Sequence, residues 1–70
     1  MTTVSVVVYP PDEEGARDVR ADGVALGRAL NVHDIAALLE AAGLRGLDEA
    51  DVARSTLIEW LGGGPEVWTR

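Results

Sequence analysis

The sequence contains no cysteine, no lysine and no phenylalanine, and it has a single histidine. The absence of cysteine excludes disulfides, cysteine-ligated zinc and thiol catalysis, and one histidine is too few for a histidine-based structural metal site. All 6 basic residues are arginines, scattered along the chain and outnumbered by 12 acidic residues. We therefore expect no nucleic-acid binding, which draws its affinity from a basic footprint, and the net charge of −6 favours solubility instead.

Long hydrophobic runs are also absent, since no stretch approaches the roughly 18 apolar residues of a membrane span. The first residues carry neither a basic region nor a cleavage signature of a signal peptide, so a cytoplasmic location without membrane attachment is expected. The chain of 70 residues predicts a single domain, 1–70. A domain this small buries only about 60% of its unfolded surface and often needs a further stabiliser. With disulfides and metals excluded, oligomerisation remains, and we predict a homodimer.

Residues 3–9 are β-branched or aromatic except for one serine, which predicts a first strand. Its centre, Val6-Val7-Val8, is continuously apolar and indicates burial on both faces of a sheet. Pro10-Pro11 ends the strand because proline has no N–H to donate to the ladder. An edge or an uncovered face of this sheet is where the predicted second copy would pair.

A β-hairpin is predicted around Asp22-Gly23, the dipeptide typical of a type I′ turn in which both residues have positive φ. The turn separates segments 17–21 and 24–28. A two-residue turn sets the register so that Ala21 faces Val24 and Val19 faces Leu26. These four apolar residues would then line one face of the hairpin.

A helix over residues about 32–42, packed on one face of the sheet, is the element with the clearest local signals. Asn31 is a suitable N-cap, and Asp34 three residues later can reach back as in a capping box. Gly43 is a natural first residue beyond the helix, and Leu44 after it fits a Schellman end.

The segment 48–61 has two interpretations after a second helix start at Asp48. It forms either one helix that ends at Gly62, or a short helical turn followed by a strand at 56–60 that pairs with 66–69. We favour the strand because threonine, isoleucine and tryptophan prefer it. The fold class is then α+β, with an antiparallel sheet of about four to five short strands and one main helix. A β-grasp-like ββαββ order is one candidate topology.

Both tryptophans, Trp60 and Trp68, flank the segment Gly62-Gly63-Gly64-Pro65. The glycines and the proline are incompatible with a helix, and two large rings are atypical of a disordered tail. We predict an ordered turn that brings the indoles together. Two roles stay open for the pair: they complete the core of a chain poor in aromatics, or they lie in an interface.

Val6 and Val8 share these two alternatives, core or interface, with the tryptophans.

The three glycines could also bind an anion through backbone N–H groups. Pro65 removes one N–H, however, and Glu66 repels phosphate, so a plain turn is the favoured interpretation.

No residue set typical of catalysis, cofactor binding or metal binding is present. His33 and Asp34 are adjacent on a helix and point about 100° apart, so they are not expected to act as an acid–base pair. The acidic clusters at 12–14 and 48–51 lack the alternating ligands and distal glutamate of a calcium loop. We predict that the protein is not an enzyme.

The closing segment, Ile-Glu-Trp followed by Gly-Gly-Gly-Pro-Glu-Val-Trp, carries a resemblance to a group of short actinobacterial proteins of the Streptomyces type. The use of arginine without lysine and the alanine-rich composition are typical of proteins encoded by a high-GC genome of that kind. The resemblance covers nearly the whole chain and implies no catalytic or binding residues. The sequence thus predicts a small non-enzymatic interaction or accessory module that self-associates. The alternative is an acidic inhibitor or antitoxin-like protein that covers a basic partner surface.

Overall fold

A computed structural model describes residues 5–44, 46 and 48–69. In chain order the elements are β1 (Val6–Val8), β2 (Arg17–Ala21), β3 (Val24–Ala29), α1 (Val32–Ala41), α2 (Glu49–Arg54) and β4 (Ile58–Trp60). The four strands form one sheet in the order β3-β2-β1-β4. The predicted α+β architecture with one main helix is confirmed.

The sheet is mixed rather than wholly antiparallel, because β4 runs parallel to β1 while the other neighbours are antiparallel. The predicted short turn followed by a strand is what segment 48–61 forms, since α2 ends at Arg54 and β4 begins at Ile58. The predicted pairing of this strand with 66–69 is wrong: Ile58 pairs with Val6, and 66–69 forms no strand. The ββαββ topology is therefore also wrong, because three strands precede the helices.

The first strand, predicted over 3–9, spans only Val6–Val8. Ser5 and Tyr9 lie outside it, and positions 3 and 4 lie outside the described residues. Val6 and Val8 are 3% and 0% exposed, whereas Val7 is only half-buried. The prediction of full burial on both faces is thus wrong for the outer face. Both helices lie on one side of the sheet, and alternation along β1 sends Val7 to the other side.

The hairpin forms at Asp22-Gly23 as predicted, with positive φ of 51° and 83° at the two turn residues. Ala21 pairs with Val24, but Val19 pairs with Gly27 and not with Leu26. A register shift between Val19 and Arg20 inserts one extra residue into β3. At Gly27 a Cβ atom would lie 3.0 Å from Leu38 of α1, so the bulge sets a residue without a side chain under the helix.

The Asn31 cap and the glycine end of α1 form as predicted, whereas the Asp34 carboxylate reaches one residue further back than the predicted capping box requires. The Asn31 side chain accepts a hydrogen bond from the Asp34 N–H at 2.9 Å, and the Asp34 carboxylate reaches back to the Leu30 N–H at 3.0 Å. At the other end the Leu44 N–H donates to the Leu39 carbonyl and Gly43 has a φ of 94°, which completes a Schellman motif. The helix ends one residue earlier than predicted, at Ala41.

The core lies between the sheet and the two helices. Its fully or nearly buried apolar side chains come from all four strands and both helices: Val6, Val8, Val19, Ala29, Ile35, Leu39, Val52 and Ile58. α1 supplies two of them and α2 one, so both helices contribute side chains that cover this face of the sheet.

Candidate functional site

A buried arginine lies at the end of the core face of the sheet. Arg17 is the first residue of β2, and the alternation along this strand sends Arg17 to the same face as the buried Val19. Its exposed fraction is 0%. Within residues 5–44, 46 and 48–69 it is the one charged side chain that is buried.

The guanidinium of Arg17 is surrounded by backbone carbonyl oxygens. Nε donates to the carbonyl of Tyr9 at 2.8 Å. One terminal nitrogen donates to Gly64 and Val67, each at 2.8 Å. The other donates to Leu61 at 2.9 Å and Gly63 at 2.8 Å. A guanidinium has five N–H donors, so every donor is used and none is left for another partner.

Four of these five carbonyls belong to residues 61–69, which we call the C-terminal strap. Beyond the carbonyls, the rings of Trp60 and Trp68 have their centroids 5.3 and 5.5 Å from the guanidinium carbon of Arg17. Cation–π contacts of this kind contribute about 2 kcal/mol when they are desolvated. The Trp68 indole N–H donates to the Pro65 carbonyl at 2.7 Å, which fixes its ring within the strap.

The charge of Arg17 is compensated by dipoles and not by a hydrogen-bonded carboxylate. Burial lowers the pKa of Arg17, and the nearby negative charge of Glu66 opposes that shift. An arginine stays protonated in proteins because its ordinary pKa lies far above neutrality. The carbonyl oxygens therefore surround a permanent cation. A hydrogen bond from a charged donor is stronger than one from a neutral donor, so each of these bonds is a strong one.

The three glycines allow the strap to turn its carbonyls inward. Gly62 and Gly63 have φ of 78° and 119°, a region that side chains other than glycine disfavour. A Cβ atom at Gly62 would lie 2.6 Å from Pro10, and one at Gly63 would lie 2.7 Å from Val67. A Cβ at Gly64 would lie 2.9 Å from the Glu66 carboxylate. The Gly-Gly-Gly-Pro segment is thus a turn whose carbonyls bind a cation. The alternative considered from the sequence was the opposite one, a loop whose N–H groups bind an anion.

The structure brings together two of the four residues singled out from the sequence. Trp60 and Trp68 are both half-buried and lie beside the same guanidinium. Val6 and Val8 lie in the core, away from the surface. The sequence analysis missed Arg17, although a signal was available: in the predicted hairpin, Arg17 shares its face with Val19. An arginine on the apolar face of a strand predicts a buried charge that needs several acceptors.

The acidic loop after β1 is organised by one of its own carboxylates. Asp12 accepts hydrogen bonds from the N–H groups of Glu14 and Ala16 at 2.8 and 3.0 Å, and it forms an ion pair with Arg28. The Ala16 N–H is the main cause that holds the pKa of Asp12 below its ordinary value of 3.8; Arg28 and the Glu14 N–H add to it, and desolvation opposes them. The carboxylate is thus committed to loop structure.

His33 and Asp34 do not meet as an acid–base pair. The His33 Nδ1 lies 3.9 Å from a carboxylate oxygen of Glu49 at the surface, while Asp34 bonds to the start of its own helix. Over the described ranges no group of three or more histidine, cysteine or acidic residues is placed to hold a metal ion.

No helix within the described part of the chain is long and apolar enough to cross a membrane. The resemblance to short actinobacterial proteins stays a prediction, since the chain matches no protein-family model and no curated protein or solved structure is significantly similar to it.

Proposed function

We propose that this protein is a small, non-enzymatic, cytoplasmic interaction module that self-associates through the outer face of its sheet. The observation that carries the proposal is one row of side chains across that face. Glu59 of β4 pairs with Val7 of β1, Val7 with Arg20 of β2, and Arg20 with Ala25 of β3. Glu59, Arg20 and Ala25 are exposed and Val7 is half-buried. The core side chains of both helices pack on the opposite face of the sheet.

The row is self-complementary. A twofold axis that passes by Val7, between the two copies and parallel to the strands, places the two valines against each other and Glu59 of each copy opposite Arg20 of the other. Neighbouring strands lie about 4.8 Å apart, so each charge is one strand away from the axis. Twofold interfaces require this kind of pattern, in which one patch fits itself. Arg20 is also held in place, because its guanidinium lies 5.5 Å from the Tyr9 ring centroid.

The size of this face sets the expected affinity. Four short strands cover about 20 Å by 20 Å, or roughly 400 Å² per copy. Stable interfaces bury about 800 Å² per partner. We therefore expect a weak dimer with a Kd in the micromolar range.

Charge reversal tests the proposed interface. Arg20→Glu and Glu59→Arg should each shift the protein to monomer in sedimentation equilibrium, because like charges then face each other across the axis. The double variant should restore the dimer, since it exchanges the two charges. Arg54→Glu, on the exposed surface of α2, is the matched control and should leave the dimer intact. A wild-type chain that remains monomeric at about 500 μM, or single variants that dimerise normally, would contradict the proposal.

A second candidate function is supported by the surface charge. Two shallow clefts contain carboxylates: Glu14 lines one between the acidic loop and the strap, and Glu40 and Glu49 line one between the helices. An acidic inhibitor or antitoxin-like protein that covers a basic partner surface would use such carboxylates. Its binding should weaken steeply with salt and, unlike the proposed dimer, it should not be abolished by Arg20→Glu.

A further inference from the structure

We propose that the C-terminal strap is a guanidinium receptor, and that its occupant holds the strap closed. With the Arg17 side chain removed, the same carbonyls and indoles should bind a free alkylguanidinium ion, and this binding should close the strap again. The inference does not rest on self-association.

The geometry selects a guanidinium over other cations. Five carbonyls converge on one planar ion, each within 2.8 to 2.9 Å of a nitrogen. An ammonium ion has only three donors in a compact group and would leave acceptors unsatisfied. The two indoles, Trp60 and Trp68, add contacts suited to a flat, weakly hydrated cation.

The strap depends on this ion because its other backbone attachments are few. Within the described part of the chain, the Leu61 N–H donates to the Val8 carbonyl at 2.9 Å, directly after β4. The Val67 N–H bonds to Gly64, and the Trp68 ring bonds to Pro65, so both of these bonds are internal to the strap. Arg17, in contrast, is the first residue of β2 and donates hydrogen bonds to four strap carbonyls, which ties the strap to the sheet.

Arg17→Ala with added ethylguanidinium is the direct test, because that ion replaces the missing atoms beyond Cβ. We expect the empty variant to show red-shifted tryptophan emission and rapid cleavage after Trp68 by chymotrypsin. Ethylguanidinium in the millimolar range should reverse both changes in a saturable manner. Propylammonium, the matched ligand, should bind at least about tenfold more weakly, because it satisfies fewer acceptors.

Two proteins serve as controls for effects of the ligand on the solvent. The wild-type chain, whose site is filled, and Arg20→Ala, which removes an exposed arginine from the same strand, should show no saturable response. An Arg17→Ala variant that gives no saturable response to ethylguanidinium, or that binds propylammonium equally well, would overturn the proposal.

If Arg17→Ala does not fold without a ligand, ethylguanidinium should restore its far-ultraviolet circular dichroism. A ligand that binds only the folded state shifts the folding equilibrium toward that state. The absence of any recovery at about 20 mM would overturn the proposal as well. Arg17→Lys supplies an independent measurement: we expect an open strap, and wild-type emission with wild-type protease resistance would show that an ammonium suffices.

Discussion

At the scale of single residues, Arg17 is the most consequential side chain of the molecule. Burying a charge is costly unless it is hydrogen-bonded, and a buried polar group left without partners costs several kcal/mol. Arg17 avoids that cost because each of its N–H groups meets a carbonyl oxygen. The converse also holds, since the inward-turned carbonyls of the strap need this cation. The residues that let the carbonyls turn inward, above all the glycines, are therefore as important as the arginine.

Gly62→Ala should destabilise the protein more than the same change at Gly23. Both glycines have a similar positive φ, 78° and 83°, so both substitutions incur about 1–2 kcal/mol of backbone strain. Only Gly62 also faces a clash, with Pro10 at 2.6 Å, whereas a Cβ at Gly23 meets nothing within 4 Å. We expect an additional loss of about 1–3 kcal/mol for Gly62→Ala in urea unfolding. Equal losses at the two positions would show that Pro10 moves aside without cost.

Asp12→Asn should destabilise the protein at neutral pH and progressively less in acid. The folded state lowers the pKa of Asp12 below 3.8, so its ionised form stabilises the fold above that pH. This contribution is lost as the pH falls through the lower, folded-state pKa. Asparagine retains an oxygen that can accept from Ala16, so the difference isolates the charge. Urea unfolding of both proteins between about pH 7 and 3 measures it, with Glu40→Gln as an exposed carboxylate control; a difference that is constant with pH would contradict the assignment.

At the scale of elements, the strap replaces the strand that the sequence analysis placed at 66–69. A strand presents its carbonyls alternately to its two neighbours, whereas the strap turns four of them toward one point. The positive φ at Gly62 and Gly63 bends the chain out of the sheet directly after β4. β4 then pairs with β1 alone, and it becomes an edge of the sheet.

A chain that ends at Gly62 should lose its cooperative thermal transition. The truncation removes the carbonyls of Gly63, Gly64 and Val67 and the ring of Trp68, so Arg17 keeps only two of its acceptors. Each lost bond to a charged group costs about 1.5–3 kcal/mol, and the total exceeds much of the stability of a small domain. A chain that ends at Thr69 keeps all of these contacts and is the control. Native-like melting of the shorter chain would show that the strap is dispensable.

At the scale of the whole molecule, the monomer is compact but its sheet is covered on one side only. The radius of gyration is 11.0 Å, close to the value of about 11 Å expected for a folded chain of this length. A second copy is therefore not needed to complete the core between sheet and helices. In the proposed dimer it covers the outer face, where Val7 lies between two charged residues.

The melting temperature should rise with protein concentration if the proposed dimer forms. Association stabilises the folded state by mass action, and the effect grows once the concentration exceeds the Kd. Calorimetry from about 5 to 500 μM measures the shift. Arg20→Glu should abolish the concentration dependence, because it removes one of the paired charges from the outer face. A melting temperature that is constant over this range would argue against self-association.

The sequence by itself determined the features whose causes lie within a few residues. The Asp22-Gly23 turn, the Asn31 cap of α1 and the glycine end at Gly43 all depend on contacts between near neighbours. Their bonds need particular side chains at particular spacings, and the sequence displays both. The α+β class followed from these local elements together with the valine-rich first strand.

Only the tertiary structure decided which strand lies beside β4 and what the Gly-Gly-Gly-Pro segment binds. The parallel pairing of Ile58 with Val6 joins positions far apart in the chain, and other pairings satisfy the same side-chain pattern. The acceptors around Arg17 are backbone carbonyls, and every residue has one. The sequence therefore marks the donor, an arginine on an apolar face, whereas the site exists only where the fold brings five carbonyls to one point.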